Sequence, residues 1–192
     1  MSSTPDTPAW IRHRAAELNR NCGPCSLCCR VFTITKPASI AHPRDVWCRF
    51  AEPGGVGCRQ YRRRPKVCRE FACQWLFDGD FASYWNPSES KMVIRRANYP
   101  TDADPMTTIL HVDPDFAGIW REPPWYPDLC ERIGRGERVW IVERGQHYEL
   151  VQVGPEFQAA MQALAKLVDA EIAASLAPSA EAAEAKTPPA IS

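Results

Sequence analysis

The hydrophobic positions in the second half of the chain fall into short runs bounded by turn residues. Residues 91–97, 107–112, 138–143 and 148–153 are rich in valine, isoleucine and other strand formers, and they predict four strands. The last two flank Arg144, Gly145 and Gln146 and predict a hairpin, so the four together predict a small antiparallel sheet. Between them, residues 120–133 open on prolines and then predict a short helix carrying Leu129 and Cys130. Over residues 155–177, Phe157, Met161, Leu164, Val168 and Ile172 recur at three or four and predict an amphipathic C-terminal helix. Residues 178–192 are rich in alanine, serine, glutamate and proline and predict a disordered tail.

The first half is patterned more thinly. Residues 9–20 predict a short helix whose apolar face is little more than Trp10, Ile11 and Leu18. The β-branched residues 31–35 predict a short strand. Beyond them no period is sustained as far as residue 77. Gly54, Gly55 and Gly57 predict a tight turn, and Pro65 predicts the first position of a short helix carrying Cys68. The fold class expected is α+β: a loop-rich domain packed on a small antiparallel sheet with a C-terminal helix. The expected divisions are a leader and short helix (1–21), the loop-rich domain (22–77), a small α+β region (78–177) and the tail (178–192).

What the loop-rich domain has instead of apolar residues is cysteine. Eight of the nine cysteines lie there: Cys22, Cys25, Cys28 and Cys29 in a Cys-x2-Cys-x2-Cys-Cys run, then Cys48, Cys58, Cys68 and Cys73. Such a density serves disulfides, metal binding or thiol redox chemistry. Residues 1–8 are polar and charges follow soon after Ile11, so no secretory signal is expected and the reducing cytoplasm is the expected compartment. Closely spaced thiols there suit chelation, and all-thiolate sites select zinc or iron–sulfur clusters. Either takes four thiolates. The Cys-x2-Cys-x2-Cys run is the local spacing of bacterial ferredoxins, whereas zinc ribbons show two separated Cys-x2-Cys pairs. Adjacent Cys28 and Cys29 are expected to point in different directions. The simplest partition is one centre on Cys22, Cys25 and Cys28 or Cys29, completed from Cys58, Cys68 or Cys73, with two centres as a variant.

Charge adds two arginines to this site. Four thiolates on one zinc leave a net negative centre, and Arg64 and Arg69 flank Cys68 where they can hydrogen-bond to it. The competing use of Arg59, Arg62, Arg63, Arg64, Lys66 and Arg69 is a nucleic-acid patch, with Tyr61, Phe71 and Trp75 as stacking platforms. A formal net charge of zero argues against a general nucleic-acid binder. No apolar run is long enough to span a bilayer, so no membrane partner is expected.

The residues Cys22, Cys25, Cys28, Cys29, Cys48 and Cys58, followed by Tyr61, Arg64, Pro65, Cys68, Arg69, Phe71 and Cys73, form a pattern that resembles the bacterial CxxCxxCC family of zinc- or iron-chelating cysteine-cluster proteins. The resemblance covers residues 22–77. Two residues after Cys48, where many members carry Cys or His, this chain has Phe50. The resemblance implies metal chelation, and a flagellin lysine methylase similar in its cysteine region implies an iron–sulfur cluster in some members.

The second half offers no enzyme constellation. Asp102, Asp104, Asp113 and Asp115 read as turn aspartates, His111 as a packed or surface histidine, His13 as an exposed helix histidine, and Cys130 as a buried apolar cysteine. Trp47, Trp75, Trp120, Trp125 and Trp140 are expected where the sheet meets the cysteine domain. The expected function is a metal-binding protein holding an iron–sulfur cluster or zinc, in a structural or redox role. The alternative is a zinc-stapled interaction module that recognises protein or nucleic acid through its arginine-rich segment.

Overall fold

The structure, a computed structural model, describes residues 7–151. The helix expected over residues 155–177 and the tail beyond it lie outside the described residues. The order of elements is α1 (Ala9–Glu17), α2 (Cys28–Val31), α3 (Lys66–Glu70), α4 (Pro87–Ser90), β1 (Met92–Asn98), β2 (Met106–Val112), α5 (Trp125–Gly134), β3 (Val139–Glu143) and β4 (Gln146–Leu150), with short 3-10 turns between them. The described part mixes helices with one four-stranded sheet, which agrees with the α+β class.

The sheet runs β1-β2-β3-β4 and is mixed rather than antiparallel. β1 and β2 are antiparallel, with Met92 opposite Val112 and Asn98 opposite Met106. β2 and β3 are parallel, with Thr108 opposite Val139 and His111 opposite Val142. β3 and β4 return to antiparallel. The departure from the sequence reading has a simple cause. Parallel neighbours need a crossover of a dozen or more residues, and the segment carrying α5 between β2 and β3 supplies it. β2, inside the sheet, is buried at every position except Met106.

The β3–β4 turn is tighter than expected. Glu143 pairs with Gln146, so the loop is Arg144 and Gly145 alone, and both have positive φ (47° and 74°). That is the two-residue geometry that matches strand twist. It starts β4 at Gln146, two residues before the expected strand. The strand expected over residues 31–35 is also absent. Val31 ends α2 instead, and only Ile34 makes an isolated bridge to His42. Leu27 and Val31, four apart, both sink into the core, and the Arg44 guanidinium donates to the Val31 carbonyl at 3.0 Å. Tertiary burial here overrides β-branched propensity.

One contiguous core joins the sheet to the cysteine region. Phe81, Trp85, Met92, Ile94, Leu110, Leu129 and Ile141 are fully buried, and Leu27, Val31, Cys73 and Trp75 from the cysteine region belong to the same cluster. Trp120 is buried in it, and Trp47 and Trp125 pack against it. Trp140 instead stands edge-on to Tyr99, 5.1 Å between ring centres. Arg132 is buried under this core, with its guanidinium over the Phe81 ring and ion pairs to Asp128 at 3.3 Å and Glu137 at 3.2 Å. His111 is buried, edge-on to Phe32. Its Nδ1 lies 3.0 Å from the Arg44 guanidinium, which can only donate, so Nδ1 accepts and the ring is neutral. Burial, then the Arg44 charge, holds its pKa well below the ordinary histidine range.

An ion-pair clamp fixes α2 to the end of β2. Arg30 Nη1 reaches Asp113 Oδ1 at 2.7 Å and Asp115 Oδ2 at 2.6 Å, and Nη2 reaches Asp115 Oδ1 at 2.9 Å. Asp113 also accepts from the Asp115 amide, so the Asp-Pro-Asp turn expected from sequence is one jaw of this clamp. The two asymmetric partners predict asymmetric mutants. Arg30→Ala leaves the buried Asp113 carboxylate without its cation and should cost about 3–5 kcal/mol in chemical denaturation. Asp115→Asn, at an exposed site, should cost far less. Equal losses would show that the clamp does not depend on burial.

Candidate metal centre

The eight cysteines of residues 22–73 are gathered by backbone hydrogen bonds rather than by long elements. The Cys25 amide donates to the Cys22 carbonyl at 2.9 Å, closing the first turn, with Gly23 at φ 50°. Helix α2 begins at Cys28, and its Cys29 carbonyl accepts from the Cys48 amide at 2.9 Å. Cys58 is brought back to Cys48 by an antiparallel bridge between Ala51 and Cys58 and by the Arg59 amide donating to the Phe50 carbonyl. The Tyr61 amide then donates to the Cys58 carbonyl, starting the turn that leads through Pro65 into α3 and Cys68. Pro65 caps this helix from outside, one position earlier than expected.

The glycine turn closes over this framework. Ser26, buried between Cys25 and Cys28, donates its amide to the Gly55 carbonyl and accepts from the Gly57 amide. Gly55 has φ 69°, and a Cβ there would meet the Trp47 ring at 2.3 Å. Trp47 in turn lies under the Arg30 guanidinium, 5.2 Å from the ring centre.

Six of the eight thiols, those of Cys25, Cys28, Cys29, Cys48, Cys58 and Cys68, line one cavity of about 270 Å³. Apolar Phe32, Ile40, Phe50 and Phe71 complete much of its wall, together with Arg64. A second cavity of about 260 Å³, beside α1, is lined by Cys22, Cys68, Arg64 and Arg69. Cys73 lines neither: it is buried against β1, where the Ile94 and Trp75 amides point at its sulfur. All nine cysteines are free. Cys130 is far from the others on α5 and exposed beside Tyr126, so the expectation of a buried apolar cysteine is corrected: that helix buries Leu129 and Arg132 instead.

Burial and mutual repulsion keep most of these thiols protonated. Burial pushes Cys68 up to about 11 and Cys73 up to about 12, and it also raises Cys22 and Cys58. The vicinal pair is in contact rather than diverging as expected. Its thiol–thiol hydrogen bond, followed by burial, pushes Cys28 well up, while the same interaction holds Cys29 down. The cation common to the group is Arg64, whose charge favours the thiolates of Cys22, Cys29, Cys58 and Cys68. Its guanidinium lies 3.7 Å from the centre of the Tyr61 ring and donates Nε to the Tyr61 carbonyl. Arg69 acts one step back, donating to the Arg64 carbonyl at 3.0 Å. A crowd of raised thiols beside an arginine is a poor anion site but a good receptor for a soft cation that displaces their protons.

Among the described residues no three Cys, His, Asp or Glu side chains converge as a compact ligand group. The thiols stand around a cavity. Asp104 caps its own turn, accepting from the Thr101 amide and hydroxyl, and His13 is an exposed partner of Glu17, as expected of both. The aromatic residues considered as stacking platforms face inward: Trp75 is buried, Phe71 packs edge-on to Phe32 and Tyr61 is covered by Arg64. Among the described residues no helix is long and apolar enough to cross a membrane. Comparison with known proteins returned nothing: no family model, curated protein or solved structure matches this chain.

Gly54→Ala meets open space and should cost about 1–2 kcal/mol for its left-handed backbone alone. Gly55→Ala must also displace Trp47 and should lower the thermal midpoint further, with a change in tryptophan fluorescence; equal effects would mean that the Trp47 seat is not required. Arg64→Ala should weaken metal retention about 10–100-fold in competition with a chelator. Arg62→Ala and Arg63→Ala, on the exposed face of the Tyr61–Arg63 turn, should change it little.

Proposed function

We propose that this chain holds a thiophilic metal centre through its clustered cysteine thiolates, in a structural or redox role, and that an iron–sulfur cluster is the better-fitting occupant. The observation that carries the reading is one apolar cavity walled by six thiols and Arg64. Zinc draws four sulfurs to about 2.3 Å from one point. Thiols arranged around an open chamber instead suit a cluster whose own iron and sulfide fill the middle. Zinc, as a structural staple, is the second occupant compatible with the same donors.

Cys22, Cys25, Cys28, Cys29, Cys48, Cys58, Cys68 and Cys73 are the proposed ligands. Arg64 offsets the negative charge of the thiolates, and Arg69 steadies the Arg64 backbone. The apolar wall excludes water from the sulfurs. When bound, an iron–sulfur cluster supplies one-electron transfer, whereas zinc supplies cross-linking alone. Resemblance to the CxxCxxCC family supports the same reading. The thiols need a reducing compartment, and the cytoplasm is the proposed one. The alternative, an interaction module using Arg62 and Arg63, is supported only by their exposed charge.

Anaerobic purification of the full chain, with elemental analysis and assay of acid-labile sulfide, tests this. Iron and sulfide in similar amounts are expected, reduced in Cys58→Ser and Cys68→Ser and unchanged in Cys130→Ser. Zinc without sulfide would replace the cluster by the structural staple. A chain that takes up neither metal, even on reconstitution, would overturn the proposal.

A further inference from the structure

We infer that the eight cysteines form two neighbouring four-thiolate centres, divided between Cys28 and Cys29. One centre uses Cys22, Cys25, Cys28 and Cys73; the other uses Cys29, Cys48, Cys58 and Cys68. This rests on the metal-binding reading above and deepens it.

Two separate features draw the same line. The first is packing. Cys73 belongs to the hydrophobic core, and Cys25 and Cys28 pack directly against that core. Cys29, Cys48, Cys58 and Cys68 are not part of that cluster and line one cavity, whose wall Cys25 and Cys28 share. The second is the backbone. The Cys29 carbonyl is bonded to the Cys48 amide, and the Ala51–Cys58 bridge and the Tyr61 turn lead from there to Cys68. Cys22 is bonded to Cys25 in a turn of its own.

The division falls at the start of α2, between Cys28, which packs against the core, and Cys29, whose carbonyl is bonded to the Cys48 amide. Each set then contains four thiolates, the number that a tetrahedral zinc or a cubane cluster takes. Arg64 lines one cavity with Cys29, Cys58 and Cys68 and the other with Cys22 and Cys68, and so stands between the two.

The test counts centres in the full chain after anaerobic purification, using native mass spectrometry together with iron, zinc and sulfide analysis. About two zinc ions, about eight irons with about eight sulfides, or one centre of each kind per chain is expected. Cys25→Ser and Cys58→Ser should each lose about half of the metal and retain the other half; the double variant should lose both halves. One centre per wild-type chain, or complete loss in each single variant that remains folded by circular dichroism, would overturn the division while leaving metal binding intact. Wild-type chain that binds neither zinc nor iron and sulfide would overturn both. Should either variant fail to fold, titration of metal-free wild-type protein with cobalt(II) decides: saturation of the thiolate absorption at about two equivalents supports two centres, and at about one overturns them.

Discussion

The ion pair between Arg30 and the Asp113–Asp115 turn is the constraint on which the cysteine region depends. It links positions 83 and 85 residues apart and ties the helix that carries Cys28 and Cys29 to the end of a central strand. Residues 22–77 hold few apolar side chains with which to build a core of their own. Arginine forks take over part of that task. Arg44 holds the end of α2 and His111 together, and Arg20 donates to the carbonyls of Trp75, Asp78 and Phe81, fixing the segment after Cys73. A guanidinium can bond several carbonyls at once without leaving a donor idle, which suits loops whose backbone acceptors have no ladder to join.

Much of the sheet was legible because its residues declare themselves locally. Met92 to Ile94 is an apolar run, Ile109, Leu110 and Val112 are aliphatic, and Arg144-Gly145 is a turn pair. What the local pattern could not contain was the order of pairing. β2 and β3 are neighbours because α5 crosses over between them, and a sequence read in short windows treats a helix between strands as an interruption. The same blindness hid α2: the β-branched run that begins at Val31 reads as strand until its burial beside Leu27 is known. Trp85 and Phe81, among the most buried residues of the core, lie in a segment that has neither period. Asp113 and Asp115 were legible as a turn, but not as partners of an arginine so far away in the chain.

The candidate site was legible in the other direction. Cysteine spacing alone singles out eight residues, and the fold gathers six of their thiols around one cavity. The spacing said nothing of how those eight are shared, since that depends on which way each loop returns. Cys73 illustrates the point. In sequence it closes the cysteine run; in space it belongs to the sheet, its sulfur faced by amides from Ile94 and Trp75. Arg64 and Arg69 likewise look equivalent around Cys68, yet one charge reaches the thiols and the other braces a carbonyl. A net charge of zero conceals this local balance between potential thiolates and the cation beside them.

The position of Cys73 has a consequence for solubility. β1 is an outer strand of the sheet, and the turn at Gln74–Leu76 packs along it. Outer strands with uncovered amides recruit other chains. Here the cover is a loop tethered at one end by a thiol and at the other by the Arg20 bonds to Trp75 and Asp78. Whatever holds Cys73 in place therefore also keeps this edge from pairing with a second molecule.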